Sequence, residues 1–125
     1  MVNARIFSAI AIATCLVTPS AFALTPSECA SMSKTLSKSG AELKTDYASL
    51  EAFAEETETV GDEYAAAKEE SGLSPEAAER AKALRARFDE MRAEVDQRNA
   101  ALSARVAEFN TIQRSFQSSC KAYFD

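Results

Sequence analysis

The sequence contains no histidine and no tryptophan, and only three glycines, three prolines and three cysteines in 125 residues. Without imidazole, the usual general base near neutral pH and the commonest zinc ligand are both missing. Serines are present, but hydrolytic or acyl-transfer chemistry needs a base beside the nucleophile, and none is offered here. Phosphate loops, dinucleotide fingerprints and EF-hand loops are absent as well. A carboxylate pair is the one remaining catalytic device. The acids between Glu51 and Glu63 are numerous, yet their spacing puts them on an outward helix face with no pocket to shift their ionisation. The sequence therefore predicts a protein that is not an enzyme and carries no cofactor or metal. A cation site in the same acid run is the competing reading, against that of a solvated helix face.

Long apolar runs are also lacking, except at the very start. Arg5 precedes an apolar run from Ile6 to Val17, and Ala21-Phe22-Ala23 follows as an A-x-A cleavage motif. Residues 1–23 are thus expected to be a secretory signal, leaving a mature chain from Leu24 that does not insert in a membrane. A rival reading makes Cys15 a lipidation site. Thr14 immediately before it fits such processing poorly.

Basic surface is scarce too. Past residue 23 there are 13 bases against 19 acids, a net charge of −6, which argues against nucleic acid and anionic membranes as partners. The imbalance is uneven: residues 26–71 carry four bases and eleven acids, whereas residues 75–124 carry nine and seven. Opposite net charge on the two halves favours their pairing with each other.

What the sequence does have is period. Phe88, Val95, Leu102, Phe109, Phe116 and Tyr123 recur every seven residues, with Leu84, Met91, Arg98, Arg105, Ile112 and Ser119 as second members of the seam. The first half answers with Cys29, Leu36, Leu43, Leu50, Thr57 and Tyr64, accompanied by Met32, Ser39, Asp46, Phe53, Val60 and Ala67. Thr25-Pro26-Ser27-Glu28 reads as a helix start, with threonine as cap and Glu28 bonding back. Between the halves, Ser71-Gly72-Leu73-Ser74-Pro75 ends one helix and caps the next, with Gly72 suited to a left-handed exit. The prediction is an all-α, antiparallel two-helix coiled-coil hairpin over residues 24–125: a helix over about 26–71, a turn at 72–74 and a helix over about 75–123. A break near Ser39-Gly40, giving three helices, is the alternative.

Closing the hairpin tests the register. Tyr64 with Leu84, Val60 with Phe88, Phe53 with Val95 and Leu36 with Ile112 all share one constant sum of position numbers, as antiparallel partners must. Cys29 with Cys120 falls one residue from that sum. An exported chain with two remaining cysteines is expected to bridge them, so a disulfide at the open end agrees with the turn and both seams.

Two features stand outside this pattern. In the middle of the seam Asp46 faces Leu102, Arg98 faces Leu50 and Arg105 faces Leu43, a polar interruption in which the arginines turn outward and the acid pairs with one of them. Its functional reading is a notch that receives a partner. Beside the first seam, Gly40, Tyr47, Ala54 and Gly61 follow at seven-residue spacing. They serve either as close packing against the second helix or as a docking strip for a second hairpin, a homodimer, or a partner's helix. The expected function is an exported interaction module, periplasmic or secreted, binding a protein partner: an envelope adaptor, an inhibitor or immunity protein, or a secretion accessory. A periplasmic holdase-type chaperone is the alternative, and it would require a sizeable exposed apolar concavity.

Overall fold

The computed structural model describes residues 24–123; the expected signal segment, with Cys15, lies outside the described residues. Two long helices, α1 (Pro26–Glu70, 45 residues) and α2 (Pro75–Cys120, 46 residues), pack side by side along their lengths. At 1.5 Å per residue each is about 70 Å long, so the molecule is a rod. The helices run antiparallel: Gly61 meets Phe88 near the turn, Arg105 meets Asp46 at mid-rod, and Cys29 meets Cys120 at the open end. The last two sulfurs are 2.03 Å apart, at disulfide distance, and the two cysteines are 91 positions apart in sequence.

The ends of α1 follow from local chemistry. Glu28 N–H donates to the Thr25 hydroxyl at 3.3 Å, and Thr25 N–H donates back to the Glu28 carboxylate at 2.7 Å, a reciprocal cap that satisfies two otherwise orphaned donors. Those bonds, from the Thr25 backbone first and its hydroxyl second, hold Glu28 below the usual carboxylate range. At the other end, the Ser71 N–H and hydroxyl both donate to Lys68 O, at 3.3 and 2.7 Å, and Leu73 N–H donates to Glu70 O at 2.9 Å. These bonds occupy the Lys68 and Glu70 carbonyls, two of those that a helix end leaves without an intrahelical partner. They replace the expected left-handed exit: Gly72 does not adopt positive φ. Ser74 then caps α2 by accepting from Ala77 N–H at 3.1 Å, with Pro75 in the first turn where its missing N–H costs nothing. No break occurs at Ser39-Gly40, and α1 is one helix. The second helix ends earlier than its seam suggested, passing into a 3-10 turn over Lys121–Tyr123.

Burial follows the seven-residue series closely. All twelve seam positions of α1 are buried or half-buried, and in α2 the exceptions up to Cys120 are Arg98 and Arg105. Among the described residues, however, the buried positions are confined to two places. Thr57, Val60, Ala67, Ala81 and Met91 are buried toward the turn, and Cys29 and Cys120 at the open end. Thr57 is tolerated there because its hydroxyl donates to Phe53 O at 2.8 Å. Between these zones the leucines of the seam are only half-buried.

The glycines of the α1 edge differ in what surrounds them. A β-carbon at Gly61 would stand 2.8 Å from Phe88 Cε2, whereas one at Gly40 would stand 3.7 Å from Phe109, ordinary contact. Gly40→Ala is therefore expected to raise stability by up to about 1 kcal/mol through helix propensity. Gly61→Leu, forced against the Phe88 ring, is expected to cost about 1–3 kcal/mol. Urea melts of the two variants check this, and a stabilised Gly61→Leu would contradict the packing described.

Candidate functional site

The loosened middle of the rod has a physical cause. Leu50 and Leu43 of α1 stand beside Arg98 and Arg105 of α2, with Asp46 and Leu102 in the layer between, and long charged side chains leave the seam to keep their heads in water. Arg105 turns to α1, where it pairs with Asp46 and approaches Glu42 at 3.6 Å. Arg98 takes a different course. Its Nε donates to Glu94 one turn back at 2.9 Å, and its guanidinium lies over the Phe53 ring, 4.2 Å from the centroid. Asp46 thus selects Arg105. The i, i+4 spacing of Glu94 and Arg98 puts the two on one helix face.

The departing arginines leave space behind them. A cleft of 220 Å³ is lined by Asp46, Ser49, Leu50, Arg98, Ala101, Leu102 and Arg105. A neighbouring cleft of 120 Å³ continues from Arg105 toward the open end, over Leu36, Leu43, Phe109 and Ile112. The shared Arg105 joins them into one groove with an apolar floor and charged groups along it. Each ion pair around it is about half exposed, so each contributes at most about 1 kcal/mol and orients more than it stabilises.

The small-residue edge is arranged differently. Gly40 and Gly61 lie under the Phe109 and Phe88 rings of the same chain, so their smallness serves packing within the hairpin. Ala54 borders a 180 Å³ cleft with Phe88 and Arg92. Tyr47 alone stands clear, 63% exposed. Of the seven candidate residues, the structure gathers Asp46, Arg98 and Arg105 at one groove. Tyr47, Gly40, Ala54 and Gly61 fall on the other flank of the seam.

Sequence reasoning missed Glu42, Glu94 and the Phe53 ring as neighbours of the arginines. Among the described residues, no group of three or more acidic or sulfur side chains is arranged to hold a metal ion, and no helix is long and apolar enough to cross a membrane. Glu76, like Glu28, is held below the usual carboxylate range, by its own backbone N–H first and the Ser74 hydroxyl second. Both acids do capping work at helix starts. The exposed large apolar side chains among the described residues are Tyr47, Leu73, Val106 and Tyr123, spread from the turn to the open end. No protein-family model, curated protein or solved structure matches the chain.

Proposed function

We propose that this chain is an exported, non-enzymatic protein-interaction module, a rigid acidic hairpin that receives a protein partner at the groove around Arg105. The observation that carries the reading is that groove: two adjoining clefts, an apolar floor, and arginines and carboxylates placed along it. Apolar contact supplies affinity, while charged groups at the margin set orientation and exclude wrong partners. The missing histidine supports the non-enzymatic part, since no general base of the usual kind is at hand. An adaptor, an inhibitor or a secretion accessory, acting in the periplasm or outside the cell, fits this description. The holdase alternative is less well supported, because the exposed large apolar side chains among the described residues are scattered along the rod from the turn to the open end.

The test is affinity capture from the native extract with the wild-type chain and with Leu50→Glu, a charge set on the floor of the groove. One specific partner retained by the wild type and lost with the variant is the expected result. Identical capture by both, or suppression of aggregation in several unrelated clients, would overturn the reading.

A further inference from the structure

We infer that the groove's occupant is a second copy of this chain, so that two hairpins close on each other as a four-helix assembly. The inference rests on the interaction reading above and names its partner. Domains are built from packed layers, and a hairpin whose seam is open in the middle leaves a layer uncovered. Here that layer is made by both helices together: Leu43 and Leu50 come from α1, Leu102 and Phe109 from α2, and all four are only half-buried.

Charge identifies the copy as the complement. The α1 wall of the groove presents Asp46, with Glu42 beside it, and the α2 wall presents Arg98 and Arg105 at mid-rod, with Glu94 and Glu108 on either side of them. A two-fold axis along the rod sets α1 of each copy beside α2 of the other at the same height, and so sets Asp46 and Glu42 of each copy against the two mid-rod arginines of the other. The whole helices agree with the local pattern. Over its length α1 carries four bases and eleven acids, and α2 eight bases and seven acids, so the arrangement keeps the two acidic helices diagonal. The rim also permits approach: Ser49 and Ala101, which flank the groove on its open side, are small and exposed.

The opposite flank supplies the control. Val106 directly follows a seam position, whereas Ala101 directly precedes one, so the two lie on different sides of the hairpin. Light scattering and sedimentation of the disulfide-intact protein are expected to give twice the monomer mass. Ala101→Glu is expected to weaken self-association at least about 30-fold, as loss of a central contact does, with helical circular dichroism unchanged. Val106→Glu is expected to leave the dimer intact. A wild-type monomer at high concentration overturns the inference, as does a dimer that ignores Ala101→Glu or dissociates with Val106→Glu. A monomer that still captures another protein through Leu50 leaves the interaction reading standing; a monomer that captures nothing removes both.

Discussion

Reducing the Cys29–Cys120 bridge is expected to lower the melting temperature by well over 10 °C and to fray the open end of the rod first. The two cysteines are 91 residues apart, and closing so long a loop removes about 4 to 5 kcal/mol of denatured-state entropy in the chain-entropy model. For a domain near 100 residues, each kcal/mol moves the midpoint by roughly 4 °C or more. The effect is large here because a two-helix rod buries so little else: beyond the cysteines, the buried residues among those described are Thr57, Val60, Ala67, Ala81 and Met91, all toward the turn. The open half relies on half-buried leucines and on the bridge. Circular dichroism melts with and without strong reductant, supported by Cys29→Ser with Cys120→Ser, measure this. Superimposable melts would show that the bridge is absent or idle.

The second large effect concerns the turn-proximal core. Met91→Ala is expected to cost about 2 to 5 kcal/mol, because Met91 is 8% exposed in the same turn-proximal zone as the buried Thr57 and Val60, where a lost side chain leaves a cavity. Leu102→Ala removes a side chain of similar size at the groove, where one face already meets solvent. Its cost is expected to be at most about half as large, since only the buried part of the area is lost. The contrast between two seam residues of one helix is therefore a direct reading of uneven packing. Equal losses in urea unfolding would mean that the middle of the seam is as tightly closed as the turn.

Much of this fold was legible because the same seven-residue period governs both helices and because one register satisfies the turn, the seams and the cysteines together. Period fixes which face is buried, so Leu36, Leu43 and Leu50, and Phe88, Val95 and Leu102, lie where the sequence places them. Period does not fix what happens at the edges. Gly40 and Gly61 occupy a flank that can face either the second helix or solvent, and only the position of the Phe109 and Phe88 rings decides. The same holds for the polar layers. That Asp46 pairs with an arginine follows from register, but the choice of Arg105 depends on Arg98 being held by Glu94 and the Phe53 ring. At the turn, Gly72 permits a left-handed exit without requiring it, and Ser71 ends the helix by bonding Lys68 O instead. Local competition of this kind has no periodic signature.

Binding through the open middle of the rod is expected to be visible in hydrogen exchange read peptide by peptide. The dilute, unbound protein is expected to exchange fastest over about 36–53 and 95–112, and more slowly beside the turn, because opening is easiest where burial is least. On self-association, protection is expected to rise over those same two stretches and to leave the turn unchanged. Protection gained at the turn or at the disulfide end, with none at mid-rod, would contradict the account.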